Sequence, residues 1–76
     1  MRVLGVDPGL TRCGLGIVEN AGGQKLVMVG VGVIKTPSDL DLSQRLLALE
    51  TELIIWIKEF KPDVIAVERV FSQLNI

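Results

Sequence analysis

The sequence has 76 residues, 49% of them apolar and 22% charged, with a formal net charge of −1, one cysteine and no histidine. So short a chain is one small domain at most, burying only about 60% of its unfolded surface, and its positive mean hydropathy places some apolar surface against chain that lies elsewhere. One cysteine excludes an internal disulfide framework, the lack of histidine excludes Cys₂His₂ zinc and histidine-dependent nucleophile systems, and the near-neutral charge gives no broad basic footprint for DNA.

Arg2 to Val6 is β-branched and apolar, and it stops at Asp7-Pro8-Gly9, a turn triplet that ends a strand. Cys13 to Glu19 reads as a second strand, with Gly14 and Gly16 alternating with Cys13, Leu15 and Ile17. Small residues on one face let a ligand approach closely, although packing within the sheet explains them equally well. Asn20-Ala21-Gly22-Gly23 is a turn, and Lys25 to Lys35 is a third, long strand. Two short connections in succession predict an antiparallel meander.

Thr36-Pro37-Ser38 breaks the strand pattern. Leu42, Leu46, Leu49, Leu53, Ile57 and Phe60 then recur at steps of three and four, which predicts an amphipathic helix. Asp41 and Gln44 fit an N-cap with its reciprocal partner, Trp56 lies near the stripe as a core anchor, and Pro62 stops the helix. Val64 to Val67 is an uninterrupted apolar run, expected of a strand covered on both faces. The longest apolar run, Leu26 to Ile34, is nine residues broken by Gly30 and Gly32. It is too short to cross a bilayer, which takes about 20 residues. Asp7 interrupts the N-terminus too early for a signal peptide, so the expected location is the cytoplasm.

The expected class is therefore α/β, a mixed sheet in which strands 1 to 3 form the meander and a helical crossover makes strand 4 parallel to strand 1. With strand 4 on the free edge of strand 1, Asp7 and Glu68 sit at neighbouring carboxyl ends. Two bare carboxylates there repel, and a hard divalent cation, above all Mg²⁺, relieves the repulsion while keeping waters for a phosphate substrate. Singly, Asp7 also reads as a turn residue and Glu68 as a charged strand end. Arg12 and Arg69 flank the acids, either as phosphate-binding residues or as solvated surface. Thr11 either bonds a phosphate or finishes the turn, and Cys13 reads as a small buried thiol.

The run Val6-Asp7-Pro8-Gly9-Leu10-Thr11-Arg12-Cys13-Gly14-Leu15-Gly16, followed by Ala66-Val67-Glu68-Arg69-Val70-Phe71, resembles the RuvC family of Holliday junction resolvases. The resemblance covers the whole chain. It implies an RNase H-like fold, of which residues 1–76 are the N-terminal part of a single nuclease domain. It also implies a Mg²⁺-dependent site, with Mn²⁺ as a substitute, in which Asp7 and Glu68 are catalytic and metal-binding. A homodimer nicking four-way DNA junctions is implied as well, with the RuvA–RuvB branch-migration complex as partner and no membrane. Phe71 would stack on a base at the junction centre, against a core role as the alternative. Members of the family are roughly twice this long and supply two further carboxylates from a late helix, so these residues alone are expected to be inactive. Two other classes stand beside this one. An actin-like or RNase H-like nucleotide or RNA-processing module shares the Asp-x-Gly opening but leaves Glu68 to Phe71 without a role, and a structural fragment would dimerise through open strand edges.

Overall fold

The computed structural model describes residues 1–9 and 11–68. Strand β1 runs Arg2–Asp7, β2 Arg12–Asn20 and β3 Leu26–Lys35; helix α1 spans Leu42–Phe60 and β4 Val64–Val67. The strands form one sheet in the order β3-β2-β1-β4. β2 is antiparallel to both β1 and β3, and β4 is parallel to β1. The expected meander, crossover and edge position of strand 4 are all present. No helix among the described residues is long and apolar enough to cross a membrane.

Local chemistry accounts for the turns and ends. Asn20 Oδ1 accepts from the Gly22 amide at 3.0 Å, and Gly22 and Gly23 take φ of 107° and 64°, a region that glycine enters without steric cost. At the start of α1 the Asp41 carboxylate accepts from the Gln44 amide at 2.8 Å while Gln44 Oε1 accepts from the Asp41 amide at 3.4 Å. This reciprocal pair satisfies donors that the first turn leaves open. At the other end, Lys61 adopts φ of 48° and its amide donates to the Ile57 carbonyl. Arg2 then ties that end to the sheet. Its Nη1 donates to the Phe60 carbonyl at 2.7 Å, and its Nε and Nη2 donate to Glu19 Oε1.

The core lies between α1 and one face of the sheet. Leu4, Val6, Cys13, Leu15, Ile17 and Ile34 are buried there, with Leu49, Leu53, Trp56, Ile57 and Phe60 packed over them. Trp56 and Phe60, one helical turn apart, tilt against each other with ring centroids 5.2 Å apart. Both rings rest directly on the backbone of β3. A Cβ at Gly32 would come within 2.5 Å of the Trp56 ring, and one at Gly30 within 2.9 Å of Phe60. The glycines that packing requires are therefore Gly30 and Gly32. Gly16 has no atom within 4 Å of a would-be Cβ, so packing within the described chain does not explain it.

Two expectations change. The first turns of the helical stripe, Leu42 and Leu46, are 58% and 53% exposed, because the contact face of α1 is carried by Trp56 and its neighbours in the last three turns. Nor is β4 covered on both faces: all four of its residues are exposed. Among the described residues, β1 is the one strand paired with it.

Candidate active site

The carboxyl ends of β1, β3 and β4 and the amino end of β2 share one edge of the sheet. Asp7 is the last residue of β1, paired in register with Gly14. Glu68 directly follows β4, and its amide donates to the Val6 carbonyl at 2.8 Å, extending the parallel ladder by one step. The Val6↔Val67 register therefore sets Asp7 beside Glu68, their strands about 4.8 Å apart.

Alternation along the strands settles the face. Leu4 and Val6 are buried beneath α1, so Val3, Gly5 and Asp7 belong to the opposite face, as do their partners Val64 and Ala66, and next Glu68. Asp7 and Glu68 line one shallow concavity with Gly5, Gly14, Gly16 and Ala66. Both carboxylates are exposed, and among the described residues neither bonds to a donor or pairs with a cation; the ion pair recorded there is Arg2–Glu19, at the far end of the sheet.

Two adjacent carboxylates with open oxygens match the donor set of Mg²⁺, which binds through one or two carboxylates and completes its octahedron with water and phosphate oxygens. No cluster of three or more ligating side chains occurs among the described residues. Further protein ligands would have to come from other chain.

Arg12 opens β2 at the same edge and is exposed. Arg69 and Phe71 lie outside the described residues. Thr11 does finish the turn, and more besides. Its carbonyl accepts from the Thr36 amide at 3.1 Å, and its Oγ1 accepts from Arg45 Nη2 at 3.2 Å. Arg45 also donates from Nε to Thr36 Oγ1 at 3.3 Å. The helix thus braces the Asp7-Pro8-Gly9 turn against the end of β3, a role that sequence reasoning missed because the partners are far apart in the chain. Cys13 is buried directly beneath, and desolvation, aided by the nearby Asp7 charge, pushes its thiol pKa up against a smaller opposing effect of the Gly9 backbone. It is an inert packing residue.

Comparison with known proteins follows the same lines. The family model for "Crossover junction endodeoxyribonuclease RuvC" matches residues 3–76. A protein of that description from Streptomyces avermitilis is 58% identical over all 76 residues, which are 43% of its own length. One from Mycobacterium ulcerans is 54% identical and covered to 41%. The chain spans about two fifths of the length of these curated relatives. Among solved structures, Thermus thermophilus RuvC in complex with a Holliday junction substrate superposes with a TM-score of 0.84 at 32% identity. The match covers 99% of this chain and 48% of that one. The mixed sheet is thus the RNase H-like arrangement expected from the sequence.

Proposed function

Because the chain belongs to the RuvC family, we propose that it is the N-terminal part of a single RNase H-like nuclease domain that cuts four-way DNA junctions by metal-dependent phosphodiester hydrolysis, in recombination and repair. The observation that carries this reading is the placement of Asp7 and Glu68 side by side, on one face, with their oxygens open. Both residues would hold Mg²⁺, or Mn²⁺ in its place. When bound, such an ion supplies a water of lowered pKa and a positive charge against the leaving oxygen.

The protein's own groups do the rest. Asp7 and Glu68 would set where the cation, and through it the reacting phosphate, sits relative to the sheet, and the bare backbone around Gly14 leaves room for the strand to lie close. Arg12 contributes positive charge beside the acids, and Arg69 and Phe71, following Glu68, are assigned to the junction: the guanidinium to phosphate, the ring to a base. A two-fold substrate is served by a homodimer, with the RuvA–RuvB complex delivering it, in the cytoplasm. Family membership leaves the actin-like and purely structural alternatives without a feature of their own to rest on.

The test is Asp7→Asn and Glu68→Gln in the full-length protein. Each keeps the shape of the side chain but removes the charge that holds the cation. Cleavage of a four-way junction is expected to vanish while junction binding persists. Near-normal cleavage by either variant would overturn the assignment.

A further inference from the structure

Arg12 and Lys35 are register partners at the ends of β2 and β3. Their neighbours Cys13 and Ile34, also partners, are buried beneath α1. Alternation therefore puts both cations on the other face, the one that Asp7 and Glu68 share. Both are exposed, and among the described residues neither forms an ion pair. Like charges directly opposite on an antiparallel pair weaken it, so this arrangement costs the fold something and receives no return from within the described chain. A lysine on an edge strand is often a guard against edge pairing, and that accounts for Lys35 on β3. It does not account for Arg12, since β2 is an interior strand.

The geometry between cations and acids is open. Gly14 stands between Asp7 and Val33 in the register and lies two residues along β2 from Arg12. A Cβ on Gly14 would touch only the Cβ of Asp7, at 3.7 Å. The path from the basic pair to the acidic pair is therefore bare backbone, about 8 Å long from the strand spacings. That is short enough for neighbouring phosphates of one DNA strand to occupy its two ends.

We propose that Arg12 and Lys35 form a phosphodiester subsite that grips the strand being cut at a phosphate next to the one over Asp7 and Glu68, the strand crossing the sheet over Gly14. This rests on the nuclease reading above. The ligand class is the DNA backbone, so the contact is independent of base sequence.

The experiment uses the full-length protein in an Asp7→Asn background, which keeps junctions intact. Binding of a labelled four-way junction is measured over a salt series for this protein and for versions also carrying Arg12→Gln, Lys35→Gln or both. Each substitution is expected to weaken binding several-fold, equally for junctions of different sequence, and to lower the salt slope by about 1. A single methylphosphonate, walked along the cut strand, is expected to weaken the protein with both cations at the phosphate beside the scissile one and to leave the double variant indifferent there. An unchanged salt slope and an unchanged methylphosphonate profile in a double variant that melts normally would overturn the proposal. So would millimolar inorganic phosphate competing with the junction only when both cations are present, which would mark a site for the free ion. The methylphosphonate walk on the protein with both cations needs no substitution at the subsite, so a variant that fails to fold does not spare the proposal. Failure of the nuclease reading shows elsewhere, as cleavage by Asp7→Asn.

Discussion

Replacing Gly32 with alanine adds one methyl group at the place where the structure has least room for it. The new Cβ would lie 2.5 Å from Cζ2 and 2.8 Å from Cη2 of Trp56, well inside van der Waals contact. The indole has little freedom to retreat. It leans on Phe60 at 5.2 Å, and Phe60 closes the helix just before the left-handed Lys61 and lends its carbonyl to Arg2. Overpacking of this kind costs about 1–3 kcal/mol, offset by about 0.5–1 kcal/mol because alanine loses less backbone entropy than glycine in a strand. The net expectation is a loss of about 1–2 kcal/mol, or about 2–8 °C in Tm for a domain of family length. Thermal unfolding of the full-length protein measures it, with Gly16→Ala as the matched control, since its added methyl meets no atom of the described chain. Gly32→Ala is further expected to keep its specific activity at low temperature, because the strained contact lies on the face away from Asp7. A Gly32→Ala protein as stable as the parent would show that the Trp56 ring is not seated on β3.

Two further outcomes can be checked directly. Arg45→Lys removes the planar fork that reaches both Thr11 and Thr36, so the turn after Asp7 should shift. Cleavage is expected to fall by about ten-fold or more with junction affinity unchanged, and a parallel loss of both would refute a positioning role. The Asp41 carboxyl is held below its ordinary range chiefly by the Gln44 amide, with help from the Ser43 hydroxyl. A depressed folded-state pKa stabilises above the unfolded value, near 3.8, and that contribution disappears as pH falls through the folded one. Denaturant unfolding from pH 6 to pH 2 should therefore show the parent losing more stability than Asp41→Asn; identical pH profiles would exclude the cap as the source.

What could be read from the sequence was whatever is local or periodic. The strand ends at Asp7 and Asn20, the Asp41 cap and the stop before Pro62 follow from single residues whose backbone preferences are strong. The meeting of Asp7 and Glu68 followed from two short connections and one crossover. The faces of β3 were harder, because Leu26 to Ile34 is apolar almost throughout and a register shift opposite Ile17 and Val18 breaks its alternation. Nothing local could say that Gly30 and Gly32 lie under aromatic rings while Gly14 sits against Asp7 and Gly16 faces open space. Arg45 was invisible for a similar reason: Thr11 is 34 positions away. The exposed Leu42, Leu46 and β4 show that periodicity marks which residues suit burial, not which of them the described chain covers.

The sheet order also dictates a timetable. β1, β2 and β3 pair through short turns, so the meander can close early and with little loss of chain entropy. Of the strand seams among the described residues, only β1–β4 joins distant chain, and Glu68 is separated from Asp7 by 61 positions. In a chain made from its N-terminus, the strand that delivers Glu68 docks after the helix before it has formed. The two acids therefore meet when the β1–β4 seam closes, and an intermediate in which only the meander has formed carries Asp7 without Glu68 beside it. The proposed cation site is therefore absent from the meander alone and arises with the closing of that one seam.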